Sequence, residues 1–318
     1  MLARNSGSAG GRGVHPRRRK AADLPGAQSP PRSFRIRMSC LGIVAGGGEL
    51  PGAVAQSARE SGRDVFILGL RGSADSSIAQ FSHDWVSLGE AGSALRMLRA
   101  HGCKDVLFAG RVARPRFSEV KVDAKAVLLL PRVISAARKG DDALLRVLVD
   151  ILDAEGFRSV GIAEAAPGLL TPEGVLGKLK PDRESEADIA HGVKIVRRLG
   201  ALDVGQAAIV CAGLVLTVEA AEGTDAMIQR VAELPENIRG SSARRCGVLV
   251  KALKPLQDGK TDLPVIGVKT IDQAARAGLA GIALESWRTL IVERRTAIDA
   301  ADAAGLFLYG FSTAAYAD

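Results

Sequence analysis

The chain contains 318 residues, of which 47% are hydrophobic and 25% are charged, a composition typical of a globular protein with room for two domains. Its formal net charge is +8, yet residues 1–37 carry nine Lys and Arg against one acid, Asp23, so the rest of the chain carries 34 basic and 34 acidic side chains. A body with balanced charge argues against a nucleic-acid-binding protein, and we expect no nucleic-acid partner.

Residues 1–37 form the first predicted unit, a basic leader that is rich in Gly, Ser, Pro and Arg and lacks apolar periodicity. Such a composition predicts disorder. If translation starts at Met38, the leader is absent from the protein. The functional alternative is a basic arm that contacts anionic phospholipid. The longest uncharged stretches, 204–218 and 303–317, are shorter than the roughly 20 residues of a membrane-spanning helix. We therefore expect a cytoplasmic protein, with peripheral membrane contact left open.

The first half of the chain alternates two kinds of segment. Strand-like runs occupy 41–46, 64–70, 85–88, 105–110 and 159–164, and helical runs occupy 51–61, 92–100, 123–139 and 141–154. This alternation predicts a parallel sheet with helices on its faces. The expected fold class is α/β, with a Rossmann-like nucleotide-binding domain over residues 38–168, whose ligands would bind at the carboxyl ends of the strands.

Two glycine-bearing turns follow strands of this domain, AGGGELP at 45–51 and AGRVARP at 109–115. Pro51 stands where a dinucleotide fingerprint needs its third glycine, which disfavours a nicotinamide cofactor. A nucleotide diphosphate held by backbone N–H groups and a tight turn without a ligand both remain open. The residues predicted to bind substrate here are Gly46, Gly47, Gly48, Gly110 and Arg111.

The composition changes near residue 168, where the segment 168–185 is rich in Gly, Pro, Lys and Glu. We place a domain boundary there, so the second predicted domain, a catalytic α/β domain, spans 169–318. A helix is expected at 184–199, with one apolar stripe. The β-branched run 206–218 is interrupted at Ala212 and Gly213, which predicts two strands joined by a tight turn.

Three carboxylates, Glu219, Glu222 and Asp225, come directly after this run. One interpretation is a helix that Thr224 or Asp225 caps, with its acids in solvent. The other is a general base or a site for a hard cation, because oxygen ligands in a turn are what Mg²⁺ accepts beside substrate phosphates.

A strand that begins near residue 248 places Lys251 and Lys254 before a turn that contains Gln257 and Asp258. Lysines that face carboxylates across strand ends suit a phosphate site with a metal, since the lysines neutralise phosphoryl oxygens. Ion pairs on the surface, which stabilise little, are the alternative interpretation.

Other chemistries lack their motifs. No serine lies in a Gly-x-Ser-x-Gly turn, and the histidines do not pair at metal-ligand spacing. The segment 259–261 resembles the end of a phosphate-binding loop but lacks the first glycine. The four cysteines are isolated in the sequence, and we expect reduced thiols: Cys40, Cys103, Cys211 and Cys246.

Nine strings of the chain together resemble one known family, over about residues 40–311. They are LGIVAGGGELP, AGRVARP, DALLRVLVDILDAEGF, DVGQAAIVCAG, VEAAEGTDAMIQR, GVLVKALKPLQD, DLPVIGVKT, AGLAGIALE and ADAAGLFLYGF. The family is the UDP-2,3-diacylglucosamine pyrophosphatases of the LpxI type.

The resemblance implies a hydrolase of lipid A biosynthesis that uses Mg²⁺ to cleave UDP-2,3-diacylglucosamine into UMP and 2,3-diacylglucosamine 1-phosphate, called lipid X. It also implies contact with the cytosolic face of the inner membrane, and a homodimer is left open. Residues 127–131 either line a trough for acyl chains or belong to the core. The alternative function is a non-catalytic sugar-nucleotide or lipid-binding module.

The aspartate of the family's EGTD string falls on Asp225, which the resemblance makes the metal ligand or the base that orients water. Charge and position add the other expected roles. The catalytic set is Asp225, Glu222 and Lys251; the metal set is Asp225, Glu219 and Asp258; and Lys254 and Gln257 join the glycine turns in binding substrate.

Overall fold

The computed structural model describes residues 39–112, 122–255 and 263–316, which lie within one compact unit, residues 36–318. The predicted leader, 1–37, lies outside the described residues, and the boundary placed at residue 168 stays a prediction. None of the helices in the described ranges is both long and apolar enough to cross a bilayer.

The first half of the described chain follows the predicted alternation. The strands are β1 (Cys40–Ala45), β2 (Val65–Leu70), β3 (His83–Val86), β4 (Cys103–Ala109) and β5 (Arg158–Ser159). The helices are α1 (Leu50–Glu60), α2 (Ala91–Ala100), α3 (Ala124–Ala137), α4 (Asp141–Ala154) and α5 (Ile162–Ala165). The strands pair in parallel in the order β3-β2-β1-β4-β5, an open doubly wound order that confirms the expected parallel sheet.

Both faces of this sheet are covered. In β2 every residue is buried, with Ile67 in one apolar cluster and its neighbours Phe66 and Leu68 in another. Because successive side chains of a strand point to opposite faces, a continuous apolar run buries itself only when helices cover both sides. This explains why the strands were recognisable as unbroken apolar runs.

The last predicted strand of this half, 159–164, is wrong in its second part. β5 ends at Ser159, and the chain then turns into α5, in which Ile162 and Ala165 are buried in one cluster. Apolar residues three positions apart lie on the same face of a helix. The helix α5 therefore buries the apolar side chains of this run that the prediction had assigned to a strand.

The second half contains a mixed sheet. Its elements are β6 (Gly174–Val175), α6 (Arg183–Ala201), β7 (Ala207–Cys211), β8 (Leu214–Val218), α7 (Gly223–Ala232), α8 (Glu236–Arg239), β9 (Val248–Lys251), β10 (Val265–Ile266), α9 (Val268–Arg276), β11 (Gly281–Glu285), β12 (Leu290–Ile291), α10 (Arg294–Ala304) and β13 (Phe307–Phe311). Among the described strands the sheet order is β6-β13-β11-β9-β7-β8, and β10 pairs with β12 separately. The strands β9, β11 and β13 are parallel, while β7 is antiparallel to β9 and to β8.

The turn between β7 and β8 lies at the predicted position. Ala212 and Gly213 both have positive φ, 50° and 78°, which is the combination of a two-residue type I′ hairpin turn. The buried carboxylate of Asp188, on α6, accepts both of their backbone N–H groups, at 2.9 and 2.7 Å. This carboxylate helps an alanine tolerate a left-handed conformation that glycine or asparagine usually occupies.

The expectation of reduced cysteines is wrong for one pair. Cys211 and Cys246 form a disulfide, with their Cα atoms 5.8 Å apart. The antiparallel register pairs Val210 of β7 with Val248 of β9, so it brings the chain just before β9 beside the end of β7. Sequence spacing could not reveal that neighbourhood. Cys40 and Cys103 are free thiols, as expected.

The segment after β9 joins the two halves of the chain. Leu253 belongs to the same buried cluster as Val54 of α1 and Leu170, and Leu263 and Leu290 also pack in that cluster. The end of β9 is therefore fixed against the first half of the chain as well as against its own sheet.

A buried ion network closes the amino-terminal edge of the parallel sheet. The carboxylate of Asp105, on β4, forms ion pairs with Arg63 at 2.8 Å and with Arg158 at 2.7 Å. Both Arg63 and Asp105 are buried. Burial raises the pKa of Asp105, but the two guanidinium groups outweigh it and hold the pKa below its usual range. The carboxylate is thus charged because its partners are in place.

We expect Asp105→Asn to lower the free energy of unfolding by about 3–5 kcal/mol in urea denaturation, because it leaves a buried guanidinium without its carboxylate. The control is Asp150→Asn, which breaks the exposed pair with Arg132 and should change stability by less than about 1 kcal/mol. Equal stability of the two variants would contradict the role of the network.

The same network predicts a pH dependence. The folded-state pKa of Asp105 lies below its unfolded value, which is about 3.9. Its stabilisation is therefore fully present above about pH 4 and is lost as the pH falls through the folded pKa. Unfolding measured between neutral pH and strong acid should show the gap between wild type and Asp105→Asn shrinking only below about pH 4.

Candidate active site

The two predicted glycine turns cross each other at the carboxyl ends of β1 and β4. Gly47 and Arg111 exchange two backbone hydrogen bonds, at 2.8 and 2.9 Å. A side chain at Gly46 would clash with the carbonyl oxygen of Arg111, so the crossing requires glycine. The strand order reverses between β1 and β4, and open α/β sheets bind their ligands at such switch points.

The backbone N–H groups of the first turn already have acceptors. Gly46 donates to Ala109 O at 2.8 Å, Gly47 to Arg111 O at 2.8 Å, and Gly48 to the Asp75 carboxylate at 2.6 Å. A phosphate would reach the Gly48 N–H only by displacing Asp75. The turns therefore offer a ligand a backbone surface without free N–H donors at Gly46, Gly47 and Gly48. The exposed side chain of Arg111 supplies positive charge beside this surface.

The buried residues Glu219 and Lys251 form a cluster with the half-buried Thr224 in the second half, and we call it the acid–lysine cluster. The Thr224 hydroxyl donates to Glu219 Oε1 at 2.5 Å and accepts a hydrogen bond from Lys251 Nζ at 2.6 Å. Lys251 Nζ and Glu219 Oε1 are 4.0 Å apart. Lys251 is 4% exposed and Glu219 is 6% exposed, so this charge pair sits inside the protein.

Strand pairing positions these groups. Lys251 ends β9 between Ala207 of β7 and Leu284 of β11. Glu219 directly follows β8, and its second carboxylate oxygen accepts the N–H of Gln206 at 3.1 Å. The predicted meeting of an acidic turn with a lysine strand thus holds for Glu219 and Lys251.

Asp225 occupies a different position, on the surface of the first turn of α7. Its side chain is 38% exposed and pairs with Lys269 of α9 at 2.6 Å. A carboxylate in the first helical turn is stabilised by the positive end of the helix dipole. Lys269 was missed by the sequence analysis because only the packing of α7 against α9 brings the two residues together.

The predicted cap of this helix is wrong. α7 begins at Gly223, Glu222 occupies the N-cap position, and no side chain caps the helix. Thr224 cannot serve as the cap because its hydroxyl is engaged in the acid–lysine cluster.

Two other predicted residues lie in separate ion pairs. Glu222 accepts a bond from Arg230 at 2.5 Å, and Lys254 contacts Asp203 at 2.9 Å. Both pairs are at least partly exposed, so solvent screens them. Gln257 and Asp258 lie outside the described residues.

Within 39–112, 122–255 and 263–316 no three His, Cys, Asp or Glu side chains cluster as metal ligands. Glu219 already accepts two hydrogen bonds beside a buried ammonium, which leaves it poorly suited to a cation. Asp225 does suit one, because its partner Lys269 is exposed and Mg²⁺ is often held by one or two carboxylates together with substrate phosphates.

Glu285 is a further charged group that the sequence analysis did not select. It ends β11, is buried, and accepts the backbone N–H of Leu253 at 2.9 Å. Burial raises its pKa, with Arg288 nearby as a partial counter-charge. A carboxylate directly after an apolar run of sequence was the available signal, the same one that marked Glu219.

The described residues define an α/β protein with glycine turns at the strand ends of one sheet and a buried acid–lysine cluster at those of the other. The LpxI N-terminal domain model matches residues 40–169, and the LpxI C-terminal domain model matches residues 172–309. UDP-2,3-diacylglucosamine pyrophosphatase LpxI from Caulobacter vibrioides is 50% identical over 273 residues, which cover 86% of this chain and 98% of that protein. This chain belongs to the LpxI family.

We expect Thr224→Val to destabilise the protein by about 1–3 kcal/mol, because the buried Lys251 and Glu219 lose the hydroxyl that links them. Thr224→Ser keeps a hydroxyl and should remain close to wild type. Thermal and urea unfolding of both variants test this expectation, and a valine variant as stable as the serine variant would refute it.

Proposed function

We propose that this protein hydrolyses the diphosphate of UDP-2,3-diacylglucosamine, releasing UMP and 2,3-diacylglucosamine 1-phosphate, lipid X, in lipid A biosynthesis. The observation that carries the proposal is the 50% identity, over nearly the full length of the relative, to a protein named as the pyrophosphatase for this substrate. Both family models support it.

The exposed carboxylate of Asp225 is the group proposed to act on the reacting atoms. Its proposed task is to accept a proton from the attacking water and orient it toward phosphorus, the work of a general base. Its partner Lys269 is 69% exposed, and such an exposed pair is worth about 0–1 kcal/mol. The diphosphate can therefore replace Asp225 as the partner of Lys269 at a small cost in free energy.

The acid–lysine cluster is proposed to hold Asp225 in place. Thr224 precedes Asp225 directly, and its hydroxyl ties the start of α7 to the end of β9 through Lys251. A site that must place a carboxylate beside a water molecule benefits from such fixed supports. The lysine charge also favours a diphosphate nearby, although Lys251 itself is buried.

Mg²⁺ is the proposed cofactor; in the alternative role of Asp225, this carboxylate would be the ion's protein ligand beside the diphosphate oxygens. When bound, the ion would neutralise charge on the diphosphate. The nucleotide is proposed to lie against the crossed turns of Gly46–Gly48 and Gly110–Arg111, because these lie at the switch point of the parallel sheet.

UMP release from UDP-2,3-diacylglucosamine, measured with Mg²⁺ and with EDTA, tests the proposal. We expect Asp225→Asn to reduce turnover at least about a hundredfold, because the variant loses the base. The control Asp299→Asn breaks the exposed pair with Arg295 on α10 and should keep wild-type turnover.

Each alternative has its own outcome in this assay. Tight binding of the substrate without UMP release would favour the non-catalytic binding module. Full turnover in EDTA would remove Mg²⁺ from the proposal, and a folded Asp225→Asn variant with wild-type turnover would remove Asp225.

The second part of the proposal concerns the acyl chains and the membrane. On α3, Val127 is 53% exposed and Leu128 is 77% exposed, so the interpretation of this segment as core is wrong for these two residues. Adjacent exposed apolar side chains are suited to contact acyl chains. We propose that they meet lipid at the cytosolic face of the inner membrane.

Vesicles of phosphatidylethanolamine and phosphatidylglycerol test this contact by co-flotation. We expect Leu128→Asp to weaken partitioning at least about tenfold, because burying one leucine in lipid is worth about 1.5–3 kcal/mol. Leu202→Asp is the matched control, since Leu202 is also an exposed leucine, after the end of α6. Equal loss in both variants would contradict a specific role of α3.

A further inference from the structure

Two free thiols meet at the amino ends of β1 and β4, at the opposite end of these strands from the glycine turns. Cys40 is the first residue of β1 and Cys103 the first residue of β4, and the two residues are paired in the register of these neighbouring strands. Their sulfur atoms are 3.4 Å apart. Adjacent strands run about 4.8 Å apart, and a disulfide spans Cα separations of about 4.4–6.8 Å. The backbone therefore already allows a bond between the sulfurs.

The two thiols differ in access. Cys40 lines an open cavity of about 700 Å³ at the amino ends of β1 and β2, together with Arg59, Arg63 and His101. Cys103 is buried behind it. A small oxidant that enters the cavity thus meets Cys40 first.

The hydrogen bond between the two thiols favours the same order of reaction. The Cys103 thiol donates a hydrogen bond to Cys40, which lowers the pKa of Cys40. Burial and the charge of Asp64 oppose this, and the charge of Arg63 assists it, with a lowered pKa as the net result. The same bond and burial raise the pKa of Cys103. The accessible sulfur is the better thiolate, and the buried one keeps its proton, which is the arrangement of an attacking and a resolving thiol.

We propose that Cys40 and Cys103 are a redox-active dithiol that peroxide converts into a reversible disulfide. The Cys40 thiolate attacks one peroxide oxygen, the O–O bond breaks, and hydroxide leaves with the thiol proton as water. Cys103 then attacks the Cys40 sulfenic acid, the S–O bond breaks, and a second water leaves. The two thiols lose two electrons and two protons, and hydrogen peroxide is reduced to two waters.

This site is independent of the proposed hydrolysis. The dithiol lies at the amino ends of the strands whose carboxyl ends carry the glycine turns. The crosslink would join β1 to β4 across 63 positions of sequence and so restrict the unfolded chain. Oxidation should therefore raise the thermal midpoint by several degrees.

The test uses the full chain, reduced with dithiothreitol and then exposed to hydrogen peroxide. After alkylation and proteolysis, mass spectrometry should find a peptide in which Cys40 is linked to Cys103, lighter than the two reduced peptides by two hydrogens. Dithiothreitol should reverse it. The Cys211–Cys246 peptide, resolved separately in the same digest, is the internal control for disulfide formation.

Dimedone, which traps sulfenic acid, identifies the attacking residue. Cys103→Ser should retain label on Cys40, since no resolving thiol remains, and Cys40→Ser should carry little label on Cys103. In the wild type the label should be transient and give way to the linked peptide. Sulfinic acid on Cys40 without a linked peptide, or unchanged thiols at excess peroxide, would overturn the proposal.

Discussion

The buried meeting of Lys251 with Glu219 is the constraint on which the second half of the structure depends. Removing two charges from water is expensive, and their mutual attraction offsets this only when hydrogen bonds fill the remaining positions. The Thr224 hydroxyl and the Gln206 N–H do this for Glu219. Three separate elements, the end of β8, the start of α7 and the end of β9, must therefore come together correctly before either charge is tolerated.

That constraint extends to the first half of the chain through the residues after Lys251. The backbone of Leu253 is held by the carboxylate of Glu285, and its side chain packs in the cluster that covers β1 and α1. One short segment thus carries both the lysine of the acid–lysine cluster and an apolar anchor in the other sheet. The chain and its packing therefore fix the glycine turns and the acidic turn relative to one another. The proposed substrate would contact both.

Much of this architecture could be predicted because its signals are local. Continuous apolar runs specified the strands of the parallel sheet, and the interruption at Ala212 and Gly213 specified a hairpin turn. What failed depends on strand order and register, which no local pattern encodes. Three contacts join residues that meet only after the sheets form. They are the Cys211–Cys246 disulfide, the ion pair of Asp225 with Lys269, and the hydrogen bond from the Leu253 N–H to Glu285. The segment 159–164 failed for another reason, since a short apolar run fits a strand or a helix equally.

The three acids that the sequence grouped together are separated by their surroundings, and this separation supports the proposed role of Asp225. Glu219 is buried and its oxygens are occupied, so moving it would break the cluster that supports α7. Glu222 is bound by Arg230, which also donates to the Val218 carbonyl oxygen and so belongs to the local fold. Asp225 faces solvent opposite the exposed Lys269, a pair that a diphosphate can separate at small cost in free energy. A carboxylate held by a rigid helix start, yet opposed only by a displaceable cation, combines the positional order and the availability that a general base requires.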